Sequence, residues 1–323
     1  MLNDIDKPIE ADELWINRDG FIFFALPKIG ERPYNIIEVR NEQCVNPYLK
    51  GERISTRSLD EHIKLINDYK IKKATIVADD ISFVKECPSL TRLSIRPSAE
   101  FGEKFDYSPL YGRTFEMLSC MTDAEELAPY KIKASIDYSQ INGIKEVVIC
   151  GKGHNNFEQI DTLENLWIRE NKKHKDLKNI SKSKGLQDLT IMFSPIKTLD
   201  GIEQFRGLKK LHLGYCRVLT DISALCKIAE SLEELSIECC GKIQDFSCLF
   251  SLKNLQIIHL QGSNELSNIQ FMNGMDNLRM VNLAMNVLDG DITPCRKAKC
   301  AYITNKRHYN LKDSDLPKFS HPK

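Results

Sequence analysis

The sequence predicts an α/β solenoid, in which short parallel strands line a concave face and short helices or 3₁₀ turns line the convex face, behind a β-rich N-terminal cap. Two observations support this prediction. A six-residue phrase, L-x-x-L-x-L with other apolar residues allowed, recurs along most of the 323 residues. In the second half of the chain, a small residue that can hydrogen-bond follows the last apolar position of the phrase by three places.

The repeated phrase has the spacing of a strand rather than that of a helix. Its clearest copies start 22 to 24 residues apart, at Leu163, Leu186, Leu208, Leu232, Leu255 and Leu278. Looser copies start at Ile71, Leu90, Phe115 and Ile144. Because side chains alternate along a strand, the leucines point inward and the residues between them point outward. A single coil cannot bury its own leucines, so we expect about ten coils to stack over residues 59–305.

The position three residues after the phrase is expected to satisfy backbone groups at the turn, because buried backbone polar groups need partners. Its occupants are Asn171, Ser194, Cys216, Cys240, Ser263 and Asn286. Cys216 and Cys240 are therefore predicted to be turn residues and not nucleophiles. The phrase, these turn residues and the return segments LTDISAL, IQDFSCL and LSNIQFM resemble the leucine-rich repeat family. The resemblance is to its internalin-like and phosphatase-regulator types of short repeat.

The N-terminal residues do not fit the phrase and are predicted to form a β-rich cap or small domain over residues 1–58. Two strands joined at Arg18-Asp19-Gly20 are expected within Glu13–Leu26, and a third within Tyr34–Arg40. A helix is expected over Ser58–Lys70, at the start of the array. Such a block would cover the apolar cross-section that a terminal coil otherwise exposes to water.

At the other end, Cys300–Asn310 is predicted to be a last strand that closes the array. Residues 306–323 are polar with two prolines and are predicted to form a flexible tail.

The overall composition argues against several classes of partner. Lys+Arg and Asp+Glu number 45 each, so no net positive charge favours nucleic acid or an anionic membrane as partner. The first residues, MLNDIDKPIEADE, lack the basic and apolar regions of a secretory signal, and no run of 18 apolar residues occurs. Together with eleven cysteines, an odd number, these features predict a reduced, cytoplasmic protein.

No motif in the sequence indicates catalysis, a cofactor or a metal. Neither G-x-x-x-x-G-K-[ST] nor G-x-G-x-x-G, H-E-x-x-H or G-x-S-x-G is present. His212 and His259 occupy equivalent outward positions two coils apart, so a separation near ~10 Å is expected, too far for one metal ion. His154 and His174 lie in stretches that read as polar loops. We therefore predict no catalytic, cofactor-binding or metal-binding residues.

The outward strand positions are bland except near the middle of the array. There the predicted partner-binding residues are Val148, Trp167, Arg169, Met192, His212 and Tyr215. Exposed Trp, Tyr, Arg and Met are enriched in protein interfaces. The alternative is that the irregular stretch 121–159 folds over the concave face and buries Trp167 internally.

The main functional prediction is a non-catalytic module that binds a protein or peptide on the concave face. The alternative is an effector or immunity-type protein, in which residues 1–58 act and the array only targets them. An enzyme is a third hypothesis without positive support, and a scaffold or surface adhesin is weaker still because export and anchoring signals are not found.

Overall fold

The computed structural model describes residues 15–18, 21–24, 36–40, 59–78, 80–97, 104–122, 133–170 and 172–318. It contains two units, Met1–Asn156 and Phe157–Lys323. Among the described residues one element is α-helical, α1 at Leu59–Tyr69, which agrees with the helix expected over Ser58–Lys70. No helix in these segments has the length and apolar character needed to cross a bilayer.

The C-terminal unit contains a sheet of seven parallel strands, one strand to each coil. In chain order they are β11 (Asn165–Arg169), β12 (Asp188–Met192), β13 (Lys210–Gly214), β14 (Glu234–Glu238), β15 (Ile257–Leu266), β16 (Met280–Val287) and β17 (Cys300–Ile303). Leu211, Leu235 and Ile258 are in register on consecutive strands, and each is at most 2% exposed. The inward stacking of the repeated leucines is therefore confirmed.

Apart from residues 172–187, which join β11 to β12 through bends and turns, the coils of this unit return through 3₁₀ segments. These are Phe157–Gln159, Ile202–Gln204, Ser223–Ile228, Ser247–Ser251, Gln270–Gly274, Thr293–Lys297 and Asp313–Asp315. The return segments are similar in sequence because each contains a short side chain that accepts a hydrogen bond, at Asp221, Asp245 and Asn268. Each accepts a hydrogen bond from the backbone N–H two residues later, at 2.7–3.0 Å, and the apolar residue between them is buried. The short acceptor side chain starts the turn and directs that apolar residue into the core.

We call the row of small hydrogen-bonding residues that follow the strands the turn ladder. It is present as predicted at Ser194, Cys216 and Cys240, and it shifts by one residue in the next coil. Ser194 Oγ donates to Met192 O at 3.1 Å, and the buried thiols of Cys216 and Cys240 donate to backbone carbonyls at 3.4–3.6 Å. Their prediction as turn residues is confirmed. Ser263, however, is exposed, and the buried residue at this point is Asn264, which donates to Cys240 O and Ile243 O at 3.2 and 2.7 Å.

An irregularity in β15 explains this shift. The pairing of β15 with β16 changes register between Gln261 and Glu265, which displaces the inward position by one residue. In the following coil Asn286 lies within β16 and donates to Glu265 Oε1 at 3.1 Å, so it does not occupy the expected turn position either. Asn171 lies outside the described residues.

Five strands of the N-terminal unit pair in parallel with one another. In order they are β3 (Ile36–Arg40), β4 (Lys73–Ala78), β5 (Arg92–Pro97), β7 (Met117–Cys120) and β9 (Glu146–Cys150). Its 3₁₀ segments are Ser82–Glu86, Ser108–Leu110 and Tyr138–Gln140.

This unit also contains a second parallel sheet that the sequence does not predict. It is formed by β6 (Lys104–Asp106), β8 (Lys133–Asp137) and β10 (His154–Asn155), which belong to successive coils. The described part of the stretch 121–159 therefore builds coils, since β8 and β10 join the second sheet and β9 joins the first. Residues 123–132 lie outside the described part of the chain.

The N-terminal block contains the expected hairpin. β1 (Trp15–Arg18) and β2 (Phe21–Phe24) pair antiparallel. The third expected strand, β3, pairs in parallel with β4, so the first strand of the array's sheet comes from within residues 1–58. The remainder of that block lies outside the described residues, and its role as a separate domain stays a prediction.

The C-terminal end differs from the flexible tail that its composition predicts. β17 ends at Ile303, and residues 306–318 pack against the last coils. Tyr309 Oη donates to Met285 O at 3.2 Å and accepts from Val287 N at 2.9 Å, while Leu316 is 5% exposed. Ala301 N donates to Pro317 O at 2.9 Å. A terminal strand would otherwise leave backbone groups unpaired and an apolar flank in contact with water. This segment hydrogen-bonds to the strand and covers its flank. Residues 319–323 lie outside the described part.

Candidate functional site

The outward strand face of the C-terminal unit consists of two columns of side chains held in register. The first column contains Trp167, Thr190, His212, Ser236, His259, Asn282 and Tyr302. The second contains Arg169, Met192, Gly214, Glu238, Gln261 and Ala284. These columns match the positions expected from the repeat, because the strands pair without a shift up to Gln261.

The structure brings several predicted binding residues together on this face. Arg169 and Met192 are partners in register on adjacent strands, and His212 lies one strand beyond Thr190, the partner of Trp167. Val148 lies half-buried on β9, in the N-terminal unit, and its membership of the patch stays a prediction. Trp167 is half-buried, and its Nε1–H is shielded from solvent without a hydrogen-bond partner in the described structure.

The residue after each strand repeats a left-handed backbone conformation. Glu170, Phe193, Tyr215 and Cys239 have φ between 52° and 58°, a region that non-glycine residues rarely adopt. In each case the backbone N–H still donates to the next coil, at 2.7–3.0 Å. We call this row, with Gly262 at the equivalent position after Gln261, the rim row. Its backbone is fixed by the sheet, so its side chains project from defined points.

The rim row contains an aromatic stack that extends the predicted patch. The rings of Phe193 and Tyr215 lie 4.6 Å apart with an interplanar angle of 7°. The Arg169 guanidinium lies over the Phe193 ring at 4.8 Å, and its Nε is 3.0 Å from Glu170 Oε1. Stacked rings and a cation over a ring face are favourable arrangements. Phe193 was not predicted from the sequence, although it occupies the same repeat position as Tyr215.

Gly214 allows the second column to pack closely beside this stack. A Cβ at that position would lie 3.0 Å from Met192 Cε and 3.3 Å from His212 Nε2. The Met192 side chain therefore extends across the glycine toward His212. A larger residue at position 214 would displace Met192 and separate the two columns.

Two histidines of the first column share one carboxylate. Glu238 Oε1 lies 3.5 Å from His212 Nε2 and 3.6 Å from His259 Nε2, and Ser236 Oγ donates to it at 3.4 Å. The neighbouring His212 imidazole is the main cause that lowers the pKa of the Glu238 carboxyl below its usual value. The sequence spacing placed the histidines on alternate strands but did not show that Glu238, on the strand between, reaches both. No group of three His, Cys, Asp or Glu suited to a metal occurs among the described residues.

The two other histidines that read as loop residues are structural. His154 is buried in the N-terminal unit, with Nδ1 2.9 Å from Tyr138 Oη. Burial lowers the pKa of His154 to about 4. His174 in the C-terminal unit lies 3.3 Å from Glu158 Oε1, which also accepts from Lys173 Nζ at 2.6 Å. His174 lies in an irregular segment as expected, with its side chain 10% exposed, whereas His154 lies in β10 and is buried.

The alternative function, an effector or immunity-type protein acting through residues 1–58, concerns a part of the chain in which the structure describes only β1, β2 and β3. It stays a prediction from the sequence. The ten cysteines in the described segments are present as free thiols.

Comparisons with known proteins find similarity in fold at low sequence identity. No protein-family model matches the sequence, and no curated protein matches it. An internalin, InlF from Listeria monocytogenes, is 15% identical over 80% of this chain and 89% of its own, with a TM-score of 0.45. The functional domain of InlJ from Listeria monocytogenes, described as including a cysteine ladder, is 12% identical over 76% of this chain and 70% of its own, with a TM-score of 0.40.

A plant peptide hormone receptor, RGFR1 in complex with RGF2, is 14% identical over 74% of this chain and 53% of its own, with a TM-score of 0.25. The geometry of this chain establishes the fold independently of these similarities. Each coil contributes one parallel strand, the repeated leucines are sealed between coils, and a turn ladder follows the strands. The fold is that of a leucine-rich repeat solenoid.

Proposed function

We propose that this chain is a non-catalytic module that binds a protein or peptide through the outward strand face of its array. The observation that carries the proposal is the stack of Arg169, Phe193 and Tyr215 beside Met192. All four side chains are partly exposed. Arg, Tyr, Phe and Met are the residue types enriched at interface centres, and their clustering in a chain with otherwise bland columns favours this location.

The backbone beneath the stack supports binding because it is already ordered. The left-handed residues Phe193 and Tyr215 donate their N–H groups to Gly214 O and Glu238 O of the next coils at 2.9 and 2.7 Å. Ordering flexible side chains on binding costs about 0.5–1.5 kcal/mol each. A pre-stacked pair on a fixed backbone avoids much of this cost, so a partner gains most of the free energy of the contact.

The test is a peptide selection against the full chain, followed by affinity measurement with variants. Peptides enriched from a displayed random library should bind the Arg169→Ala/Phe193→Ala/Tyr215→Ala variant at least tenfold more weakly than wild type. Truncation of an interface anchor typically costs about 2 kcal/mol or more. The matched control is Phe250→Ala/Leu288→Ala, which removes two apolar side chains that are each 52% exposed away from this face.

Both variants must retain the wild-type circular dichroism and unfolding midpoint. Retained affinity in the triple variant, or an equal loss in the control, would show that the stack is not the binding surface. Location in the cytoplasm and the exclusion of nucleic acid and membranes as partners remain predictions from the sequence.

A further inference from the structure

A recess lies on the C-terminal unit next to the aromatic stack. It has a volume of about 610 Å³. Its lining comes from four successive coils and consists of Arg217, Cys239, Gly241, Lys242, Gln261, Gly262, Ser263 and Ala284. None of these residues was predicted from the sequence to form a binding site. The recess is therefore a feature that only the stacking of coils creates.

The recess opens because the rim row changes from large to small side chains. Phe193 and Tyr215 fill the row in two coils, and Cys239 and Gly262 continue it in the next two. Gly262 has φ of 151°, a conformation that disfavours other residues, and a Cβ there would lie 3.1 Å from Asn264 Oδ1. The space that two rings occupy farther up the row is thus empty at this point. The same bulge that displaces Ser263 from the core turns this residue into the recess wall.

The charge of the recess is positive. Two of its lining residues are the cations Arg217 and Lys242, and none is acidic. Both cations are exposed, and neither takes part in an ion pair among the described residues. Lys210 and Lys227, by comparison, lie 2.9 and 3.4 Å from carboxylates. In a chain with no net charge, two uncompensated cations in one concave site form a local binding site for an anion.

The nearby carboxylate does not cancel this charge. Glu238 precedes Cys239, but its Oε1 is oriented toward His212 and His259, at 3.5 and 3.6 Å. The recess wall contributes neutral donors instead: the Ser263 hydroxyl and the Gln261 amide. Hydroxyl, amide and paired cationic groups together are the usual ligands of a phosphoryl group.

We propose that this recess binds the phosphate monoester of a phosphorylated peptide, whose neighbouring residues lie on the Phe193–Tyr215 stack. The inference rests on the proposed function and names its partner class. A phosphate monoester carries about −1.5 to −2 charges at neutral pH and three acceptor oxygens, which matches two cations and two neutral donors. The N–H of Tyr215 donates to Glu238 O at 2.7 Å, and Cys239 of the recess lining is the next residue, so the stack and the recess are adjacent.

The experiment measures binding of two fluorescent peptide pools to the full chain by anisotropy: a degenerate phosphoserine pool and the same pool with serine. The phosphorylated pool should bind at least tenfold more tightly. Arg217→Gln/Lys242→Gln should remove that preference, and added salt should weaken it, since exposed charges are screened. The charge-matched control, Arg296→Gln/Lys299→Gln, changes two exposed cations outside the recess and should retain the preference.

A second variant fills part of the recess without changing its charge. Gly241→Leu projects a side chain into the recess, where a Cβ would already lie 3.2 Å from Ser263 Oγ, and should also weaken binding of the phosphorylated pool at least tenfold. Circular dichroism and the unfolding midpoint verify that each variant is folded. Equal binding of both pools, or an unchanged preference in both recess variants, would overturn the proposal.

Two further arms separate the sources of phosphate and the two proposals. Inorganic phosphate, added as a competitor of the labelled phosphorylated pool, should displace it only weakly. Displacement at phosphate concentrations similar to the Kd of the pool would overturn the peptide as ligand. If the wild-type chain bound both pools equally but still bound library-selected peptides, the phosphate-binding inference would be refuted and the proposed function would be unaffected. A preserved phosphate preference in the Arg169→Ala/Phe193→Ala/Tyr215→Ala variant, with unchanged total affinity, would refute the proposed role of the stack and leave the recess standing.

Discussion

Truncation of Leu235 tests the stacking that all other features require. Leu235 is 1% exposed and lies in register between Leu211 and Ile258 on the two adjacent strands. Leu235→Ala removes three carbon groups, which corresponds to about 2.4 kcal/mol of transfer free energy at about 0.8 kcal/mol per group. Because coils on both sides hold the backbone in place, the cavity persists and adds about 1–2 kcal/mol. We expect a total loss of about 4 kcal/mol.

The assay is urea unfolding followed by circular dichroism, combined with hydrogen exchange of backbone amides. Stability in a stacked array is a sum of coil and interface terms, so the amides of β13 to β15 should lose more protection than those of β17, and the unfolding transition should broaden. Ser236→Ala, on the outward side of the same strand, is the control and should change stability by no more than about 0.5 kcal/mol. A loss below about 1 kcal/mol in Leu235→Ala, or an equal loss in the control, would refute inward stacking at this position.

Two further predictions concern polar groups that the sequence did not identify. Hydrogen bonds from His174 and Lys173 outweigh the opposing effect of burial and lower the pKa of Glu158 to about 2 from 4.5. The ionised Glu158 side chain therefore contributes at most about 3 kcal/mol to the free energy of unfolding. That contribution is complete above pH 4.5 and is lost as the pH falls toward 2. Urea unfolding at several pH values should therefore show a smaller loss of stability in acid for Glu158→Gln than for wild type. Asn264→Ala removes the side-chain donor of the Ile243 carbonyl and one of the two donors of the Cys240 carbonyl, and it should cost about 1–3 kcal/mol. Ser263→Ala should be within about 0.5 kcal/mol of wild type; equal costs by thermal unfolding would contradict the shifted turn.

The repeat pattern predicted the inward positions because burial of leucine depends only on alternation and coil length. Leu211, Leu235 and Ile258 therefore lie where the sequence places them. The pattern could not predict the exchange of Ser263 for Asn264, because residues 262–264 of β15 face a single residue of β16 without altering the length of the repeat. The irregularity coincides with Gly262, whose φ of 151° differs from the 52–58° of the other rim-row residues.

The candidate site was predicted in part for a related reason. The columns followed from alternation, but the rim row lies beyond the last strand residue, where alternation no longer specifies direction. Phe193 was missed for this reason, and Tyr215 entered the prediction only as a neighbour of the patch. Glu238 was treated as an unremarkable column member because its contact with two histidines depends on side-chain reach and not on register.

The second sheet of the N-terminal unit has a mechanical consequence. In a coil that closes through a 3₁₀ turn, only one side is tied to its neighbours by a continuous set of backbone bonds. Strands β6, β8 and β10 add a second set of backbone hydrogen bonds between successive coils. These bonds should oppose both opening and twisting of one coil against the next. That part of the chain should behave as a stiff block under load, with deformation confined to coils that have a single set of ties.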